Sequence, residues 1–292
     1  MKTVGICGAG QMGAAAAVCF RRAGYPVILW ARNPKKLPAI RQTLARLSKQ
    51  LGSTQKQIEL TSDLTLIDQR ADIVMDCIAE DMAEKVKLFR RPRQRPALFL
   101  TTTSGLSITE MGRRSGTGKQ LVGTHFWNPP HLMPLVEVVR GRDTSEAAMR
   151  KVIALVRSIG KIPVRVHRDV PGFIGNRLLH ALWREAIYLV QRGIASPADV
   201  DRVARLTFGL RLPAVGPLEN MDIVGLDLIE TIHKYLLADL ADQHQPLPLL
   251  TRLRKNGRSF HNRGRRDMQQ LIERRDRQIV HQLQYLREQN AL

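Results

Sequence analysis

Aromatic residues are scarce: seven Phe, four Tyr and three Trp make up 5% of the 292 residues. No basic stretch carries the interleaved aromatics on which single-stranded nucleic acid stacks. Cysteine is scarcer still. Cys7, Cys19 and Cys77 lie in apolar stretches without metal-like spacing and read as reduced, buried small residues. No run approaches the ~18 consecutive apolar residues that a membrane span needs. The opening "MKTVGICGAGQMG" reaches its glycines before any signal-like cleavage region. A cytoplasmic protein with no membrane segment and no metal is expected.

Acidic charge is also in short supply. The 26 Asp+Glu face 46 Lys+Arg, a net +20, and residues 251–292 alone hold eleven basic against four acidic side chains. A surface of this kind attracts small anions or polyanions. With so few aromatics, a solvated surface ranks first, an anion funnel second and a nucleic-acid site last.

The sequence is rich in alternating elements. Apolar stretches such as "KTVGIC", "PVILWA", "ADIVMDCIA", "PALFLTTTS", "QLVGTHF", "PLVEVV" and "IPVRV" read as strands, separated by helical patterns such as "MGAAAAVCFRRAG", "EDMAEKVKLFRR" and "SEAAMRKVIALVRSIG". "LPAIRQTLARLSKQLG" is an amphipathic helix with Ile40, Leu44, Leu47 and Leu51 on one face. Alternation argues for an α/β fold, a mostly parallel, doubly wound sheet covered by helices. From about Asp169 the strands stop, and long helical patterns follow, one of them opened by Ser196 and Pro197. The expectation is a dinucleotide-binding domain over 1–168 and an all-helical domain over 169–292.

"GICGAGQMG" places Gly8, Gly10 and Gly13 in G-x-G-x-x-G spacing, after a strand and at the start of a helix that Gln11 and Met12 open. Such glycines permit a tight turn and close backbone approach to a pyrophosphate. The second strand then lacks the acid that accepts from an NAD ribose: "VILWARNPKK" has Ala31 there, followed by Arg32. A guanidinium grips a 2′-phosphate, so the reading favours NADP over NAD. The alternative is that Arg32 is merely exposed and NAD binds without its acid.

"GTHFWNPPHLMPLVEVVRG" sets His125 at the end of one strand and Glu137 within the next. A histidine can take the hydroxyl proton while hydride leaves, and a buried carboxylate can orient it. Ser104 follows the strand end "LFLTTTS", and Asn176 lies in the first turn of the helix after 167–170, so both can reach a ligand at the sheet's carboxyl edge. Each also has a plain local role, as turn and helix-start residue.

"GAGQMG", "DCIAEDMAEKVKLF", "TTTSGLSIT", "HFWNPPHLMPLVEVVRG", "DVPGFIGNRLL" and "GPLENMDIVGLD" occur in one order across about residues 1–230. In these segments the chain resembles the short-chain L-3-hydroxyacyl-CoA dehydrogenases. The resemblance implies His125 as catalytic base, Glu137 as its orienting partner, and Ser104 and Asn176 as hydrogen-bond donors to the substrate oxygen. It implies that Glu80 and Lys85 line the nicotinamide end of the cofactor cleft, and that the helical domain forms a homodimer and closes over the substrate.

The chain departs from that family besides the missing ribose acid. Thr102 stands where asparagine is usual beside the serine, altering one cofactor or substrate contact. Residues 33–62 read as one helix plus a linker, where coenzyme-A-using members carry a longer, lysine-bearing helical hairpin. The basic tail lacks the usual glycine-rich aromatic segment. His131, in "NPPHLMP", is either a ligand for a substrate carboxylate or an exposed loop residue. The expected activity is an NAD(P)-dependent interconversion of a 3-hydroxy and a 3-oxo group on an anionic small molecule. An acyl-CoA is the family default, and a small free hydroxy acid the alternative. A non-catalytic cofactor-binding or nucleic-acid-binding protein is the reading of another class, and only the +20 charge supports it.

Overall fold

The computed structural model describes residues 2–52, 57–95 and 97–289. The chain forms two compact units, Met1–Arg177 and Leu178–Leu292.

The first unit is an eight-stranded sheet of β1 (Val4–Cys7), β2 (Val27–Trp30), β3 (Glu59–Thr61), β4 (Ile73–Asp76), β5 (Leu98–Thr101), β6 (Leu121–Phe126), β7 (Leu135–Arg140) and β8 (Ile162–Val166). The spatial order is β3-β2-β1-β4-β5-β6-β7-β8, and only the β6–β7 pair is antiparallel. Its helices are α1 (Gln11–Arg22), α2 (Leu37–Gln50), α3 (Thr65–Arg70), α4 (Met82–Phe89), α5 (Ile108–Ser115) and α6 (Glu146–Ser158).

The strands are apolar without alternation because both faces are covered. Val4, Ile6, Leu29, Met75 and Leu100 pack with residues of α1, α2 and α6. The intervening Cys7, Ile28, Val74 and Phe99 pack with residues of α3, α4 and α5. The sheet is therefore doubly wound. Phe20 and Phe89, each 1% exposed, sit one in either layer. Truncating either to alanine costs about 3–5 kcal/mol.

Three elements of this unit escape the sequence pattern. β3 is a three-residue edge strand, and α3 is six residues, too short to show a helical period. α5 is eight residues, begun by Ser107, whose side chain accepts from the Glu110 N–H. The segment 33–62 accordingly holds a 3-10 turn at Pro34–Lys36, α2 and β3 rather than one helix and a linker; its residues 53–56 lie outside the described ones. Leu51 falls at the C-cap of α2 and still packs against the core. Cys7 and Cys19 are buried, while Cys77 is half-buried rather than buried. Burial pushes the Cys77 thiol up to about 12, so it stays protonated.

The second unit continues from α7 (Gly175–Gln191), which begins in the first unit, through α8 (Pro197–Leu206), α9 (Phe208–Arg211), α10 (Pro217–Val224), α11 (Leu226–Leu236), α12 (Pro248–Lys255) and α13 (Arg265–Glu288). Ser196 caps α8, its hydroxyl accepting from the Asp199 N–H at 3.1 Å. Of the described apolar residues here only Ala241 and Leu247 are buried, whereas Leu178, Trp183, Leu206, Leu218, Ile223 and Tyr235 are exposed. Among the described residues no helix is long and apolar enough to cross a membrane.

Candidate active site

Strand β1 ends at Cys7 and delivers the glycine loop. Gly8 has φ +114°, and a Cβ there would lie 2.3 Å from the Cys77 carbonyl oxygen. A Cβ on Gly13 would lie 1.8 Å from the Gly8 oxygen. Packing of loop, helix and neighbouring strand thus dictates the first and third glycines. Gly10 differs, because a Cβ there would meet nothing within 4 Å. It is the N-cap of α1, and no side chain caps that helix. An uncapped helix N-terminus with open space before it fits a pyrophosphate, whose charge the helix dipole favours. Met12 packs on the core, and Gln11 Nε2 donates to Asn128 Oδ1 at 2.9 Å, joining the glycine loop to the segment after β6.

At the end of β2, Ala31 is buried and its N–H donates to the Thr61 oxygen. Arg32 is exposed, and its Nη2 donates to Glu84 Oε2 at 3.1 Å. Glu84 lies in the first turn of α4, and sequence reasoning passed it over.

The next residue, Lys85, is 1% exposed and would be costly to bury unpaired. Its Nζ donates to Asp76 Oδ1 at 2.6 Å and stands 3.4 Å from Glu80 Oε2. Asp76 ends β4 and also accepts from Thr101 Oγ1 at 2.5 Å. Burial pushes the Asp76 carboxyl up, against the pull of Lys85 and Thr101. Burial likewise works against the Glu80 carboxylate, but the Thr103 hydroxyl, the Lys85 ammonium and the Ser104 N–H outweigh it and hold that group below the ordinary carboxylate range. Thr102 joins this cluster through the backbone, its Oγ1 donating to the Asp76 carbonyl at 2.9 Å.

His125 and Glu137 are direct partners in the β6–β7 ladder. Both are buried, and His125 Nδ1 lies 2.6 Å from Glu137 Oε2. An ionised Glu137 accepts from Nδ1–H and so leaves Nε2 as the basic nitrogen. Burial raises the Glu137 carboxyl, yet the hydrogen bonds from His125, Gly175 and Ile174 overcome it and hold the group below its ordinary value. The imidazole is bracketed edge-on by Trp127 and Phe173, with ring centroids 5.2 and 5.6 Å away. Phe173 has φ +49°, strain that a non-glycine residue tolerates only when its surroundings fix it. Gly175 makes room for Trp127, since a Cβ there would lie 2.1 Å from the indole.

The same Glu137 reaches the next element. Its Oε1 accepts from the N–H groups of Ile174 and Gly175, at 2.9 and 3.1 Å. Asn176 follows, and its Nδ2 donates to the Ser104 carbonyl at 3.4 Å. The Ser104 N–H donates to Glu80 Oε1 at 3.0 Å. His125, Glu137, Asn176, Ser104, Glu80 and Lys85 are thus strung along one contiguous series of contacts. His131 is half-buried rather than an exposed loop residue. Sequence reasoning missed Asp76, Thr103, Trp127 and Phe173; an acidic residue inside the apolar "ADIVMDCIA" was the one signal for Asp76.

The model of the 3-hydroxyacyl-CoA dehydrogenase NAD-binding domain matches residues 3–170, and that of the 3-hydroxyacyl-CoA dehydrogenase C-terminal domain matches 172–268. A probable 3-hydroxybutyryl-CoA dehydrogenase of Bacillus subtilis is 35% identical over 283 residues, 90% of this chain and 97% of that protein. Among solved structures, 5-formyl-3-hydroxy-2-methylpyridine 4-carboxylic acid 5-dehydrogenase, described as an NAD+-dependent dismutase, superposes with a TM-score of 0.91 at 28% identity, over 98% of this chain and 99% of that one. The (S)-3-hydroxybutyryl-CoA dehydrogenase of Ralstonia eutropha gives 0.70 at 29% identity, over 88% and 94%.

Proposed function

We infer the chemistry from a plain premise: this chain belongs to the 3-hydroxyacyl-CoA dehydrogenase family. It is an NAD-dependent oxidoreductase acting on CH–OH, interconverting a 3-hydroxy and a 3-oxo group. Gly8, Gly10, Gln11, Met12 and Gly13 would hold NAD on the glycine loop, where it would supply the hydride acceptor. His125 Nε2 takes the hydroxyl proton as the carbonyl forms, and Glu137 keeps the ring in the required tautomer and stabilises its protonated form. Ser104 and Asn176 direct donors at the substrate oxygen, where charge develops. Glu80, Lys85 and Thr102 border the nicotinamide end. Residues 1–168 serve as the dinucleotide domain and 169–292 as the helical substrate and dimerisation domain.

The observation that carries this reading is the buried 2.6 Å contact between His125 and Glu137. Replacing His125 with glutamine is expected to remove most turnover and leave the dissociation constant for NADH unchanged. Full activity in that variant, or loss of NADH binding, overturns the assignment.

Two finer readings follow. The substrate is an anionic small molecule, an acyl-CoA by the family default. A small free hydroxy acid is the second reading. It is favoured by the single α-helix among the described residues between β2 and β3, where a coenzyme-A hairpin would stand, and by the TM-score of 0.91 to a pyridine-carboxylate dehydrogenase against 0.70 to a CoA-dependent one. Turnover of 3-hydroxybutyryl-CoA compared with free hydroxy acids decides between them. For the cofactor, NADP use rests on Arg32, and Arg32→Asp is expected to shift the preference towards NAD. The exposed apolar face of the helical unit supports a homodimer formed through it.

A further inference from the structure

We propose that Glu84 selects the cofactor's 2′-substituent, supplying from α4 the carboxylate that the end of β2 lacks. The proposal rests on the dinucleotide reading of the glycine loop given above. β2 and β4 lie on either side of β1. Arg32 follows β2 and Glu84 opens the helix after β4, so their 3.1 Å contact crosses the carboxyl end of β1. The glycine loop leaves β1 at that edge, so on the dinucleotide reading the pair flanks the adenosine end of a cofactor laid over the open space at Gly10.

The backbone of Glu84 is well held. Its N–H donates to the capping carboxylate of Asp81 at 2.9 Å, and the adjacent Lys85 is anchored in the interior by Asp76. The side chains are not: Arg32 is 74% and Glu84 47% exposed. An ion pair this wet is weak and yields readily to a ligand. A ribose 2′-hydroxyl that donates to Glu84 leaves Arg32 to balance the carboxylate's charge. A 2′-phosphate must instead strip Arg32 from Glu84 and then sit beside a like charge. Arg32 alone favours the phosphate, and Glu84 opposes it, so the pair rather than Arg32 sets the preference.

The test is the pair of dissociation constants for NADH and NADPH, read from nicotinamide fluorescence, on the full chain and on Glu84→Gln, Arg32→Ala and the double variant. Glu84→Gln is expected to move the NADPH:NADH preference towards NADPH by roughly tenfold, the scale of one like-charge contact near a surface. Arg32→Ala is expected to weaken NADPH, and in that background the gain from Glu84→Gln should shrink. An unchanged ratio in Glu84→Gln, with both cofactors still bound, overturns the role of Glu84 and leaves the dinucleotide site standing. Failure of the unaltered protein to bind either cofactor overturns that site, and the proposal with it.

Discussion

Glu137 divides its two oxygens between His125 and Gly175: Oε2 lies 2.6 Å from the imidazole Nδ1, while Oε1 accepts the Gly175 N–H at 3.1 Å. One carboxylate therefore orients the base and caps the start of the helix on which Asn176 sits.

Glu137→Gln breaks both tasks at once. The amide presents its NH2 to one side, so either Nδ1–H or the backbone N–H pair loses its acceptor. We expect kcat to fall by about 10²–10⁴, the range of general acid–base catalysis, with KM changed far less. Steady-state kinetics on Glu137→Gln and Glu137→Asp checks this. A fall in stability with unaltered kcat would reduce Glu137 to a purely structural residue.

Acid sensitivity follows from the depressed carboxyls of Glu137 and Glu80. A folded-state value below the unfolded one stabilises the protein above the unfolded value, and the gain is lost as pH falls through the folded one. Thermal stability should therefore decline as pH drops below the ordinary glutamate value of 4.5. Glu137→Gln should flatten part of that decline. An identical slope in the variant would show that other groups carry it.

The glycines of the loop separate by mechanism. Gly13→Ala places a Cβ 1.8 Å from a backbone oxygen and should depress the melting temperature in the absence of any cofactor. Gly10→Ala meets nothing within 4 Å, so the melting temperature should hold while NADH binding weakens. Calorimetry and fluorescence titration on both variants distinguish packing from ligand contact.

Asp76→Asn leaves the buried Lys85 ammonium without its nearest carboxylate, with Glu80 at 3.4 Å as a partial substitute. Breaking a buried pair costs about 3–5 kcal/mol. Urea unfolding gives the value directly. A loss below ~1 kcal/mol would mean that Glu80 or water takes over as the partner of Lys85.

Much of the site is legible in the sequence because it is local. The glycine spacing after an apolar strand, and two polar residues twelve apart in successive strands, translate directly into the loop and into the His125–Glu137 pair. Contacts that depend on which strands become neighbours do not show in this way. Arg32 and Glu84 lie 52 residues apart and meet only because β4 pairs with β1 on the side away from β2. The Asp76–Lys85 pair needs burial to matter, and the edge-on rings of Trp127 and Phe173 need the turn at Phe173. Short elements vanished for a different reason: six residues of α3 complete fewer than two helical turns.

The helical unit buries only two of its described apolar residues and leaves leucines, isoleucines and a tryptophan accessible. If a second copy covers them, dilution itself acts as a denaturant. The melting temperature should drop with each tenfold reduction in protein, since separated chains surrender the surface that association hides. A single melting temperature from micromolar to nanomolar protein would mean that each chain is stable alone.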